Sequence, residues 1–112
     1  MTWADVSLRE FQDALASSAP TPGGGSAAGV ALGQAAALAV MVSDLTLGNE
    51  TLREGWAISE QVKAIGIPML EEGLKLATED SEAFDKVVDS FKLPKDTDQL
   101  KSERREAIRS AT

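Results

Sequence analysis

Apolar positions recur at helical spacing along nearly the whole chain, and no stretch shows the two-residue alternation of a strand. Leu8, Phe11 and Leu15 share one face of a first helix. Ser7, with Glu10 three residues on, forms a capping box, and Val6 and Phe11 stand where a hydrophobic staple closes. Pro20 and Pro22 end that segment. A second helix is expected after Gly23-Gly24-Gly25, with Ser26 as its cap, running to about Leu47 and stopping at Gly48. It carries two different faces. Gly25, Gly29, Gly33, Ala36, Val40 and Asp44 form a small-residue face that lets another backbone approach closely. Val30, Leu38, Met41 and Leu45 form a face expected to be conventional core. A helix apolar nearly all round belongs in the middle of a bundle or an oligomer.

A third helical region spans about Glu50 to Phe91. Drawn straight, it would be roughly 60 Å long, against a radius of gyration near about 13 Å for a compact chain of this size. It therefore either bends at Gly66 and Pro68 or projects and packs on a second subunit. Leu93-Pro94-Lys95 makes a turn. Asp96, Thr97 and Asp98 favour a last helix start, and Leu100, Ala107, Ile108 and Ala111 line that helix. The expected fold is all-α: one helical domain over residues 1–112, with a long kinked helix in a bundle that is dimeric or a higher homo-oligomer.

Composition narrows the chemistry. The 112 residues hold no cysteine, histidine or tyrosine, and the formal net charge is −7. Disulfides, zinc fingers, thiol nucleophiles and histidine bases are excluded. Proton transfer must then fall to Asp, Glu, Lys or water. An acidic chain without a basic stripe argues against nucleic acid or an anionic membrane as a partner. The apolar run from Ala27 to Val42 is shorter than the roughly 20 residues needed to span a bilayer. The first ten residues lack the basic start and apolar run of a signal peptide. The expectation is a cytoplasmic protein.

Three features could carry chemistry. The segment Pro20-Thr21-Pro22-Gly23-Gly24-Gly25-Ser26 lets a ligand approach the backbone and leads into a helix start with free N–H groups, suited to a carboxylate, a phosphate or a carbonyl oxygen. It is neither a Walker loop nor a dinucleotide fingerprint, and its plainer reading is a flexible helix connection. Asp80 falls on the apolar stripe of Leu76, Phe84, Val87 and Phe91. A carboxylate there is paired, is tuned upward for proton transfer, or caps a helix restarting near Thr78. Asp44 prolongs the small-residue face beside Thr46, near a helix C-terminus that disfavours a carboxylate; an exposed helix end is the plain alternative. Lys86 and Lys95 are candidate contacts for an anionic ligand.

Thr21-Pro22-Gly23-Gly24-Gly25-Ser26-Ala27-Ala28, Met41 to Gly48, Asp80-Ser81-Glu82-Ala83-Phe84 and Leu93-Pro94-Lys95 together resemble the cyclodeaminase/cyclohydrolase family of folate one-carbon metabolism. The resemblance covers nearly the whole chain. It implies an all-helical, dimer-forming domain with a tetrahydrofolate derivative as substrate and no metal or redox cofactor. Two reactions are implied. One is cyclisation of 5-formiminotetrahydrofolate to 5,10-methenyltetrahydrofolate with release of ammonia. The other is hydration of 5,10-methenyltetrahydrofolate to 10-formyltetrahydrofolate. On the matching positions, Asp80 is the candidate proton carrier, with Asp44 as the alternative. Pro22, Gly23, Gly24, Gly25 and Ser26 would meet the pterin or a substrate carboxylate, beside Thr46 and Phe84, and Lys86 and Lys95 would face the anionic tail. Asp44 stands where many bacterial members have Asn. The family domain is about twice as long, so the chain reads as its N-terminal half. The competing readings are an inactive fragment, a helical module that dimerises through the Gly29/Gly33 face, and a generic anion-binding helical domain.

Overall fold

The computed structural model describes residues 1–112. It holds four α-helices and two short 3₁₀ turns, with no strand: a turn at Trp3–Asp5, α1 at Leu8–Ala16, α2 at Gly24–Leu47, a turn at Glu50–Gly55, α3 at Trp56–Phe91 and α4 at Asp98–Ala111. The local signals explain most of the boundaries. The Ser7 hydroxyl accepts from the Glu10 N–H at 3.0 Å, and the Ser7 N–H donates back to Glu10 at 3.3 Å, so the capping box forms. Thr97 caps α4 by accepting from the Leu100 N–H at 3.1 Å.

Two local expectations are corrected. The cap of α2 is Gly23, not Ser26; Ser26 lies inside the first turn, and its hydroxyl is spent on α3. The third helical region is not one helix, since Glu50–Gly55 is a 3₁₀ segment and α3 begins at Trp56. From there α3 runs 36 residues, straight through Thr78 and with Pro68 inside it. A restart near Thr78 is thereby ruled out.

The body of the molecule is an antiparallel hairpin of α2 on α3, and its seam is made of small residues. On α2 the buried positions are Ser26, Gly29, Gly33, Ala36 and Ser43; on α3 they are Ser59, Gly66, Gly73, Ala77, Ser81 and Ser90. Most steps between them are three, four or seven residues, the heptad rhythm of two helices that stay in register. With no side chains between them, the backbones nearly touch. A Cβ added at Gly73 would lie 2.6 Å from the Gly29 carbonyl oxygen and 2.7 Å from the Gly33 nitrogen. The far end of the hairpin is closed by Trp56, whose indole N–H donates to the Thr46 carbonyl at 2.9 Å.

This packing overturns two further expectations. The Gly29/Gly33 face is used within the chain, so it is not a surface left free for dimerisation. The face expected to be core is the exposed one: Leu38, Met41 and Leu45 stand in solvent, joined on α3 by Ile58 and Ile65. α3 closes on the glycine face because only there can two backbones approach. Nothing else in the chain covers the opposite side. The result is elongated, 73 × 27 × 18 Å with a radius of gyration of 20.5 Å. Its accessible surface is 7839 Å², against about 5,900 Å² for a compact protein of the same mass. By length and composition alone α2 is long and apolar enough to cross a membrane.

Candidate functional site

The antiparallel register sets the first turn of α2 against the middle of α3. Gly25 and Asp80 meet there: any Cβ at Gly25 would overlap the Asp80 carboxyl group. The glycine serves space rather than backbone conformation, since no residue in the chain has a positive φ. Behind this pair the contact is locked by hydroxyls. The Ser26 hydroxyl is fully buried, donates to the Ala77 carbonyl at 2.7 Å and lies 2.6 Å from the Ser81 hydroxyl. The loop before α2 is tied to the same helix. Pro22 is buried after a cis peptide bond, and the Thr21 hydroxyl donates to Asp85 at 2.8 Å.

In front of the pair lies an open cleft of about 460 Å³, lined by Gly25, Ala28, Gly29, Leu32, Leu76, Glu79 and Asp80. Its lining is mostly apolar: Gly25, Ala28 and Gly29 add little side chain, and Leu32 and Leu76 supply the bulk. Its rim carries two carboxylates, Asp80 without an ion pair and Glu79 paired with Lys75 at 3.8 Å. Gly24, the residue before Gly25, is exposed and has open space beside it. The first N–H groups of α2 have no side-chain cap and point out of the helix start. The arrangement can hold a flat, cationic or N–H-rich group against an apolar floor with a carboxylate at its edge.

The structure does not gather every candidate here. Ser26 is turned into the seam and supports the cleft from behind. Asp80 is exposed and makes no ion pair, so the burial that its stripe implied is absent from this chain. Asp44 and Thr46 belong to the other end of the hairpin. Gly25 and Asp44 are separated by about 28 Å of helix. Asp44 pairs with Lys63 at 2.7 Å, which meets the dipole objection with a counter-charge. That carboxylate, through its hydrogen bond first and its charge second, raises the Lys63 ammonium above its ordinary value. The Thr46 hydroxyl is returned to the Val42 carbonyl at 2.9 Å. Phe84 is half-exposed one turn beyond Asp80. Lys86 lines a different hollow, with Asp89, Ser90, Leu93 and the end of α4, and Lys95 is exposed in the turn after α3. A third hollow, between the N-terminal turn and α3, is lined by Asp5, Glu71, Glu72, Lys75 and Glu79 and repels anions.

Sequence reasoning missed Gly66, Gly73, Ala77 and Ser81, which build the α3 half of the seam. Their signal was available, as a small-residue repeat on α3 matching that of α2. It was hidden by the larger apolar stripe one face over. Trp3 was also missed, and nothing in its local sequence marks it.

Comparison with known proteins places the sequence in a family. The profile of the formiminotransferase-cyclodeaminase family matches residues 7–112. The methenyltetrahydrofolate cyclohydrolase of Methylorubrum extorquens is 42% identical over 111 aligned residues, covering 94% of this chain and 52% of that protein. The chain thus spans about half the length of the curated relative it matches. With a match that runs from the first helix cap through the last helix, the chain belongs to the formiminotransferase-cyclodeaminase family.

Proposed function

We propose that this chain provides the pterin-side half of a folate one-carbon site, and that its reaction is hydration of 5,10-methenyltetrahydrofolate to 10-formyltetrahydrofolate. The observation that carries the reading is the meeting of Gly25 and Asp80 at an open, mostly apolar cleft in a chain of this family. The name of the Methylorubrum relative favours hydration over cyclodeamination. The charge of the cleft supports the same choice: the methenyl form is a cation, and the rim offers the unpaired Asp80 beside Glu79, which is itself paired with Lys75 at 3.8 Å. Cyclodeamination of 5-formiminotetrahydrofolate is the second reading, favoured by the family's own description.

In the proposed reaction the reduced pterin lies on the Gly25–Gly29 floor. Water adds to the one-carbon centre between N5 and N10. Asp80, open to solvent, takes one proton from that water. The carbon–N5 bond then breaks, the second proton ends on N5, and the formyl group stays on N10. Asp80 is given this role over Asp44 because Asp44 is held by Lys63 at the far end of the hairpin. Phe84, half-exposed one turn beyond Asp80, is proposed to meet the aromatic ring of the substrate beyond the pterin. No metal or redox cofactor enters the proposal. The exposed apolar face of α2 and α3 is proposed to be covered by self-association, and the reading puts the protein in the cytoplasm with its substrate.

The test is loss of the methenyl absorbance on adding the chain. Asp80→Asn should slow it by about 10²- to 10⁴-fold, the usual contribution of a positioned acid or base. Unchanged turnover in Asp80→Asn defeats the assignment.

A further inference from the structure

Trp3 lies ahead of the residues matched by the family profile, yet it makes two of the long-range hydrogen bonds nearest the cleft. Its backbone N–H donates to the Thr78 hydroxyl at 2.9 Å, and its indole N–H donates to the Ser81 hydroxyl at 2.9 Å. Thr78 and Ser81 flank Glu79 and Asp80 on α3 and sit three residues apart, on one face of that helix. The Trp3 ring is half-buried and meets the Phe11 ring edge-on, with centroids 5.4 Å apart. The N-terminal turn is therefore anchored against α3 beside the cleft.

The hydrogen bonds have a definite direction. A serine hydroxyl has one proton to give. Ser26 gives its proton to the Ala77 carbonyl, so at the 2.6 Å contact Ser81 must be the donor and Ser26 the acceptor. Ser81 then needs a donor of its own, and the indole of Trp3 is that donor. The relay runs Trp3 to Ser81 to Ser26 to Ala77 and crosses from the N-terminal turn through α3 to α2. Ser26 is the neighbour of Gly25, and Ser81 is the neighbour of Asp80. The relay thus ties together the two residues that flank the Gly25–Asp80 contact. Both serines are buried and the indole–Ser81 hydrogen bond is part-buried, so losing the indole donor weakens the relay by the scale of one hydrogen bond.

We propose that Trp3 is a positioning residue: its indole N–H completes the serine relay that sets Gly25 against Asp80. The effect on ligand rests on the folate reading given above, whereas the effect on the pair does not. Trp3→Phe keeps the edge contact with Phe11 and removes only the indole donor. In the full chain, at a temperature where circular dichroism shows it fully helical, Trp3→Phe should bind tetrahydrofolate about three- to tenfold more weakly, the scale of one lost hydrogen bond. Ser81→Ala should weaken binding to the same degree, and the double variant should be no worse than either alone, because both remove one relay. The amide resonances of Gly25 and Asp80 should shift in Trp3→Phe, while those of Asp44 and Lys63 stay in place.

A folded Trp3→Phe with unaltered affinity overturns the inference, as does a double variant whose loss is the product of the two single losses. A lowered melting temperature with unchanged affinity makes Trp3 a brace of the fold alone and overturns it too. If Trp3→Phe fails to fold, Ser81→Ala carries the same comparison. If the unaltered chain binds no tetrahydrofolate, the folate reading fails. The Gly25 and Asp80 resonances then decide the role of Trp3: their movement upholds it, and their constancy refutes it.

Discussion

Gly25→Ala separates stability from function at a single methyl group. The added Cβ would fall on the Asp80 carboxyl. That carboxyl ends an exposed side chain, so it can swing away, and the backbones of α2 and α3 need not move. To reach ordinary van der Waals separation it must retreat by on the order of 1 Å. The helix meanwhile exchanges a glycine for alanine in its first turn, a change worth up to about 1 kcal/mol in favour of folding. The expected variant is as stable as the parent or more so, with a catalytic group displaced by about 1 Å. A misplacement of that size can cost about 100-fold in rate. The assays are a thermal melt followed by circular dichroism and the decay of the methenyl absorbance. A melting temperature held or raised, with turnover down about 100-fold, is expected. Full turnover in Gly25→Ala refutes the reasoning, because it would mean that the position of Asp80 against Gly25 is irrelevant to the chemistry. A large drop in melting temperature refutes it as well, because the clash would then lie in the backbone rather than in a mobile carboxylate.

The seam predicts the opposite pattern. Gly73→Ala places its Cβ against the Gly29 oxygen and Gly33 nitrogen, backbone atoms that cannot swing aside. It should lose about 1–3 kcal/mol in urea unfolding, and wild-type stability would contradict the close approach. The Asp44–Lys63 pair raises the Lys63 ammonium above 10.5. While Asp44 is ionised, the pair's stabilisation is therefore complete below about pH 10.5 and lost as pH rises through the higher folded value. Lys63→Met should melt below the parent at pH 8, the gap closing only in strongly alkaline solution; a gap that varies between pH 6 and 9 would point to another group. With Leu38, Met41, Leu45, Ile58 and Ile65 exposed, the melting temperature should rise with protein concentration and sedimentation should show more than one chain per particle. A monomer with concentration-independent melting defeats that expectation.

Helices were legible from the chain because helix signals are local. The Ser7–Glu10 box, the Thr97 cap, the stop at Gly48 and the turn at Pro94 each depend on residues a few positions apart, and each forms where its pattern lies. The family motifs were equally plain, as was the lack of histidine and cysteine. Partnership between helices was decided only in three dimensions. Two faces of α2 competed for α3, one rich in leucine and methionine and one in glycine. Burial of apolar area favours the first, whereas close backbone approach is possible only on the second. The register that follows puts Gly25 on Asp80, sends Asp44 to Lys63 about 28 Å away and turns Ser26 from a cap into a link of the seam. Trp3 is the extreme case: its partners Thr78 and Ser81 are 75 and 78 residues distant, and no local pattern encodes a hydrogen bond that exists only once the hairpin has closed.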